Sequence, residues 1–255
     1  TTSFTPTDDA SSEGNETATV SITGVSGGSA TEDGTQAVTI TITDDETTPT
    51  VTLTTSATSI AENSGSSITL TATLSTTSSS NVTISFSTFG AAISGTDFGS
   101  ISSITINAGA SSGTTSFTPT NDSIYEGNET ATIDISSVSG GNALENGAQS
   151  ATITITDDES APSVTLTSSA SSIAENSGSS VTLTATLSGA TYQDVTVSIS
   201  TSGTSTEGTD YATISDITIS AGSTTGTSNF TPTDDSVYEG NETGIAAISA
   251  VSGGG

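Results

Sequence analysis

The stretch Ile68-Thr69-Leu70-Thr71-Ala72-Thr73-Leu74 alternates apolar and hydroxyl side chains without a break. A two-residue period puts every apolar group on one face and every threonine on the other, which describes a half-buried β-strand; a helix would need apolar residues three and four apart. Outward from it, shorter alternations occur at Val51 and Leu53, at Val82, Ile84 and Phe86, at Ile104 and Ile106, around Phe117, at Ala131, Ile133 and Ile135, and at Ala151, Ile153 and Ile155. Gly, Ser, Asn and Asp separate them, and no stretch carries a 3.6-residue apolar stripe. Seven such strands predict an all-β fold, a two-sheet antiparallel sandwich of immunoglobulin-like type.

The pattern recurs. Ser-Ile-Ala-Glu-Asn-Ser-Gly-Ser-Ser runs over 59–67 and again over 172–180, an offset of 113. Phe-Thr-Pro-Thr starts at Phe4, Phe117 and Phe230, and Gly-Asn-Glu-Thr at Gly14, Gly127 and Gly240, each 113 apart. Ile-Thr-Asp-Asp-Glu occurs at Ile42 and Ile155. A constant offset through strands and loops means copies of one domain in tandem. Residues 1–46 match the C-terminal part of a repeat, 47–160 a complete one, and 161–255 a repeat without its last strand. These ends read as cuts through a longer array; the alternative is a subunit whose missing strand comes from a neighbour, as in strand-exchanged polymers.

Composition narrows the chemistry. The chain of 255 residues has 28 Asp plus Glu, no Lys, Arg or His, and a formal net charge of -28. Without a basic residue it has no means of tracking a phosphate backbone or an anionic lipid surface, which excludes nucleic acid and acidic membranes as direct partners. The absence of Cys, His and Met removes thiolate chemistry, imidazole acid–base catalysis, zinc sites and haem ligation, leaving hydroxyls, amides and carboxylates. No segment approaches the length of a membrane-spanning helix and none opens the chain as an export signal, so direct membrane insertion is not expected and targeting information is expected outside it. A 30% hydrophobic and 4% aromatic content predicts a thin core of Val, Ile, Leu and Ala.

The acids fall at loop positions that an alternating-strand sandwich brings to one end. In the complete repeat these are Glu62, Asp97, the loop holding Asn121, Asp122, Glu126 and Glu129, and the run Asp157-Asp158-Glu159 after the last strand. Two unit charges 4 Å apart repel by about 4 kcal/mol at an effective dielectric of 20. Gathered acids with no cation in the chain therefore oppose folding unless an external cation binds. Carboxylates, a carboxamide and free carbonyls in flexible loops suit Ca2+, while Mg2+ prefers fewer protein ligands and stricter octahedral geometry.

Ile-Ala-Glu-Asn at 60–63 and 173–176, Gly-Thr-Asp-Phe/Tyr at 95–98 and 208–211, Asp-Asp-Ser-Val-Tyr-Glu-Gly-Asn-Glu at 234–242 and Ile-Thr-Asp-Asp-Glu at 155–159 together resemble the Calx-beta domain. The motifs occur in that family's order and cover essentially the whole chain. The resemblance implies a calcium-binding, seven-stranded sandwich of the kind found in sodium–calcium exchangers and, in tandem, in large bacterial surface proteins. It implies calcium ligands at Glu62, Asp97, Asp122, Glu126, Glu129, Asp157, Asp158 and Glu159, with the Ile124 carbonyl. In the last copy it implies Glu175, Asp210, Asp234, Asp235, Glu239 and Glu242, with the Val237 carbonyl. The first copy keeps Asp8, Asp9, Glu13, Glu16, Asp44, Asp45 and Glu46. Asn121 stands where the other copies have Asp8 and Asp234, so one calcium is expected to bind more weakly there, and the last copy lacks the terminal acidic trio.

Solvated acidic turns are the bland reading of the clusters, set against acids that recur at fixed offsets while the residues around them drift. Tyr125, Tyr238 and the matching Ser12 are expected to be partly buried anchors at the sandwich end. Asn15, Asn128 and Asn241 lie in Asn-Glu-Thr sequons, where a loop role beside the cation is expected over glycosylation; Asn81 lies in Asn-Val-Thr and stays open. Glu126 and Glu129 as a glycosidase pair would place a repeated catalytic site in a thin domain without an aromatic cleft, so an enzyme is not expected. A calcium-dependent glycan-binding module would need an exposed aromatic pair, for which Phe89 and Phe98 are the candidates; their counterparts are Ser202 and Tyr211. The expected function is a calcium-stiffened stalk or filament for adhesion or coating, extracellular at a cell surface or secreted. Its expected partners are neighbouring repeats or identical subunits, and surface glycans or proteins. The linker from Glu159 to Pro162 beside the cation would set the angle between repeats.

Overall fold

A computed structural model describes residues 1–255. In the second copy the alternation becomes two sheets. One has the strand order Ser112–Phe117, Ile68–Leu74, Thr50–Thr55, Leu144–Glu145, and the other Ser59–Ala61, Ser150–Thr156, Glu129–Ser139, Val82–Gly90, Ile104–Ile106. Ile68, Leu70, Ala72 and Leu74 are buried, as are Val51, Leu53, Val82, Ile84, Ile104, Ile106, Ala131, Ile133, Ile153 and Ile155. The alternation thus delivers one apolar layer from each sheet. The opposite face is hydroxyl: Thr52 and Thr73 are cross-strand partners, as are Thr54 and Thr71, and Thr71 and Thr114. Phe98 and Phe117 stack inside, ring centroids 4.8 Å apart.

The seven expected strands are all present, with short additions. Leu144–Glu145 pairs in parallel with Thr50–Val51, so the sheet is not wholly antiparallel. Gln149 helps hold this excursion, receiving the Leu53 amide on Oε1 at 3.2 Å while its own amide donates to Glu145. Two-residue strands are too short to register as a period, which is why the sequence does not disclose them.

Gly113 faces the other sheet so closely that a Cβ there would lie 2.7 Å from Ile104 Cγ2 and 3.1 Å from the Thr105 carbonyl oxygen. Overpacking of this kind costs about 1–3 kcal/mol. Gly113→Ala is therefore expected to lower the denaturation midpoint by that amount with the m-value unchanged, and a change under about 0.3 kcal/mol would contradict the packing described.

The third copy repeats the plan with Val164–Ser168, Val181–Leu187 and Thr225–Phe230 in one sheet and Ile217–Ile219, Val195–Gly203 and Gly244–Gly253 in the other. Its core holds Leu183, Ala185, Leu187, Val195, Val197, Tyr211, Ile214, Ile217 and Ile219, with Tyr211 stacked on Phe230 at 4.6 Å. The first copy is the hairpin of Glu16–Ser21 with Ala37–Ile42. Backbone contacts divide the chain into two compact units, residues 1–60, 65–120 and 130–154 in one and 61–64, 121–129 and 155–255 in the other. No helix is long and apolar enough to cross a membrane.

Candidate metal centre

The acidic end of the second copy is built around Asp157, where strand Ser150–Thr156 gives out. Its Oδ2 accepts the backbone amides of Glu126 at 3.0 Å and Gly127 at 2.6 Å, and its Oδ1 accepts the amide of Glu159 at 3.1 Å. Asn128 returns the contact, its Oδ1 receiving the Asp157 amide at 3.2 Å. The loop can turn here because Gly127 sits at φ 74, a region a Cβ disfavours. The first copy ties the same knot: Asp44 Oδ2 accepts from the amides of Glu13 at 3.1 Å and Gly14 at 2.8 Å and from Ser12 Oγ at 3.3 Å, while Asn15 Oδ1 receives the Asp44 amide at 3.1 Å. The Asn15 and Asn128 carboxamides therefore serve the loop. Asn81, by contrast, is exposed, and its Oδ1 caps the Ala108 amide at 2.9 Å.

Carboxylates then converge. Glu62, which opens the short 3-10 turn Glu62–Ser64, brings an oxygen within 4.8 Å of Asp157 and Glu159 oxygens. Glu62 is only 6% exposed, and both its Oε1 and Glu159 Oε2 are buried without a hydrogen-bond partner. Asp8, Asp45 and Glu46 form a like group in the first copy, and Asp210, Glu239 and Glu242 in the third, each within the same 4.8 Å. The 113-residue offset makes Asp97, Glu126 and Glu129 the counterparts of that last group. Asp97 and Glu129 are buried. The loop carrying Asp97 is fixed as in its sibling, with Asp97 Oδ2 accepting the Ile93 amide and Asp210 Oδ2 the Thr206 amide, both at 2.6 Å.

Other expected ligands have a structural duty on one oxygen. Asp9, Asp122 and Asp235 each accept the amide two residues on, from Ser11 at 2.7 Å, Ile124 at 2.7 Å and Val237 at 2.6 Å. Asp158 Oδ2 receives Asn63 Nδ2 at 2.7 Å. Asn63 escaped the sequence reading, although its place in the repeated Ile-Ala-Glu-Asn motif marks it. Asn121, Asp234 and Glu175 are exposed, Asn121 donating to the Asp122 carbonyl at 3.2 Å. Glu16 opens its strand opposite Ile42. Ile124 lies in a two-residue strand, and Val237 is exposed.

Two sequence expectations need correction. Tyr125 is half-buried and Ser12 buried, but Tyr238 is 96% exposed, because no segment covers it as one covers Tyr125. Phe98 does not pair with exposed Phe89; it is fully buried against Phe117, because the Gly-Thr-Asp-Phe turn aims that ring into the core.

The electrostatics of the cluster follow from its burial. Burial first, then the neighbouring Glu159 and Asp157 carboxylates, push the Glu62 carboxyl up to about 8. Burial and contact with Asp157 likewise raise Glu159. Burial also pushes on Asp157, but the amides of Gly127, Glu126 and Glu159 outweigh it and hold that group below the usual range. In the third copy burial and the Asp210 charge raise Glu239 and Glu242. Carboxylates crowded enough to raise one another, with two buried carboxylate oxygens that meet no hydrogen-bond donor, fit a hard, oxygen-seeking cation.

A pH dependence follows. A carboxyl raised in the folded state contributes stability that is complete below its unfolded pKa and lost as pH rises through its folded value. Without divalent cations the second copy is therefore expected to lose stability between about pH 4.5 and 8, and melting temperatures in chelator should fall across that window. A flat profile would place Glu62 in a less crowded setting.

Tandem β-sandwiches with carboxylates folded into one loop cluster define the class of this protein. The Calx-beta domain model matches residues 44–159 and 157–254, and the chain belongs to that family. The resemblance of its motifs is thereby shown. Solved structures similar to it include CBD12 from CALX1.2, at 22% identity over 70% of this chain and 73% of that one with a TM-score of 0.36. Another is the apo-form Calx CBD1 domain, at 21% identity over 43% of this chain and 99% of that one with a TM-score of 0.37. The calcium-binding domain CBD12 of CALX1.1 matches at 22% over 69% and 73% with a TM-score of 0.35. Comparison with curated proteins returns no match.

Proposed function

We propose that each repeat binds Ca2+ at its acidic loop cluster and that the bound cations stiffen the array into a stalk or filament at a cell surface or in a secreted coat. The observation that carries this reading is the pair of buried, unpartnered carboxylate oxygens on Glu62 and Glu159 beside Asp157. Such atoms are costly to bury unless a cation or proton answers them. Membership of the Calx-beta family supports the choice of calcium. The extracellular setting is part of the proposal: millimolar calcium there fills even weak carboxylate-loop sites. Neighbouring repeats are the natural partners, and a role in adhesion follows from an extended stalk.

Isothermal titration of the full chain with Ca2+ and with Mg2+ tests the reading. Calcium should bind with net proton release at pH 7, because protonated Glu62 must ionise to ligate. Magnesium should bind at least tenfold more weakly. Equal affinity for the two, or no heat with either, overturns the proposal.

A further inference from the structure

Successive copies touch through a feature that appears twice in the same form. Ser11–Ser12 pairs in parallel with Thr77–Ser78, and Ile124–Tyr125 pairs in parallel with Ala190–Thr191. The leading strands of the two pairs are 113 residues apart, as are the strands they meet, so both pairs join the acidic loop of one copy to the next. The leading residues differ in side chain, Ser11 Oγ approaching Thr77 Oγ1 at 3.5 Å where the other seam has Ile124, yet the register is the same. The receiving strand is held by its own copy: the Ser78 carbonyl accepts the Gly109 amide and the Thr191 carbonyl the Gly222 amide, both at 2.8 Å. Ser78 and Thr191 are each 1% exposed, so the receiver is a fixed part of its sandwich.

A single peptide group links this seam to the acidic centre. The carbonyl of Tyr125 accepts the Tyr192 amide of the next copy at 3.2 Å. The N–H of that same peptide unit, on Glu126, donates to the Asp157 carboxylate at 3.0 Å. In the first copy the Ser12 carbonyl accepts the Ser79 amide at 3.3 Å, and the N–H of that peptide, on Glu13, donates to Asp44 at 3.1 Å. An N–H bonded to a carboxylate polarises its peptide and strengthens the carbonyl as an acceptor, so the carboxylate and the next copy act on one rigid plane from opposite sides.

We propose that this peptide group is the relay between a repeat's acidic centre and the repeat that follows, and that Thr77–Ser78 and Ala190–Thr191 are its receptor, reading main chain and not side chain. Any repeat can then follow any other, whatever its loop carries at these two positions. The relay deepens the calcium reading and rests on it, since a cation drawn to Asp157 fixes the plane; the receptor stands on the contacts between copies alone.

The full chain contains no cysteine, so Thr114→Cys with Thr227→Cys takes two spin labels on exposed strand positions of the second and third copies. Pulsed dipolar spectroscopy in millimolar calcium should give one narrow distance distribution. Tyr192→Pro removes the N–H that donates across the seam and should broaden the distribution severalfold. Ile124→Ser with Tyr125→Ser, which installs the first copy's residues, should leave it narrow. An unchanged width in Tyr192→Pro, or equal broadening by the side-chain swap, overturns the receptor. Should Tyr192→Pro fail to fold, Ser79→Pro with labels at Thr19 and Thr114 tests the other seam, and slow exchange of the Tyr192 amide in the parent chain is the expected result without any substitution.

Chelator separates the claims. Broadening of the parent distribution in chelator supports the relay. An unchanged width, in a chain that titration shows to bind calcium, overturns the relay alone, whereas a chain that binds no calcium overturns the functional proposal and leaves the receptor to the proline test.

Discussion

Saturating calcium is expected to raise the melting temperature of this chain by on the order of 10 °C or more for each site filled. A ligand bound only by the folded state at a hundred times its dissociation constant adds about 2.7 kcal/mol. For a sandwich of this size each kcal/mol is worth about 4–8 °C. The direction follows from the charges. The chain carries -28 and no base, and the Glu62, Asp157 and Glu159 oxygens lie within 4.8 Å of one another. Without a cation the protein relieves that crowding by protonating Glu62, whose carboxyl is driven up to about 8; with one, attraction replaces repulsion and both orphaned oxygens gain a partner. Differential scanning calorimetry in calcium, magnesium and chelator makes the measurement. A shift no greater than that given by equal ionic strength of sodium chloride would reduce the effect to screening and return the clusters to solvated turns.

Asp157→Ala is expected to cost the second copy about 2–4 kcal/mol in chelator and to abolish most of its calcium increment. Three backbone amides end on this carboxylate, and a hydrogen bond to a charged acceptor contributes about 1.5–3 kcal/mol. Removing a negative charge also relieves its neighbours, which works in the opposite direction. The measurement therefore belongs near pH 6, where Glu62 is largely protonated and little repulsion remains to be relieved. Asp157→Asn keeps an acceptor without the charge, so it should recover part of the chelator stability and little of the calcium response. If alanine cost less than about 0.5 kcal/mol, Asp157 would not be what holds the 126–129 loop. If asparagine kept the full calcium shift, the cation would not need this oxygen.

The strands of this protein were readable because their period is a local quantity. Each buried position of Ile68–Leu74 is marked by its own side chain, and the 113-residue offset reports the same pattern again. The grouping of acids in the loops was readable for a related reason, since Glu62, Asp157 and Glu159 stand at the ends of strands whose period is local. The excess of negative charge is a sum over residue types and depends on no fold.

Only the tertiary structure decided how those acids divide their labour. Asp122 and Asp157 are alike in sequence, yet Asp122 caps the Ile124 amide two residues away while Asp157 gathers amides from a loop thirty positions distant. Burial separates Glu62 from its exposed counterpart Glu175 although both follow Ile-Ala. Phe98 looked available beside Phe89 until the core claimed it. The peptide shared between Asp157 and the next copy leaves no mark on any side chain. Hydrogen bonds between main-chain groups are open to every residue, proline lacking only the donor, so composition and spacing carry the apolar layer and the charge, and distances between remote segments carry everything that joins one repeat to the next.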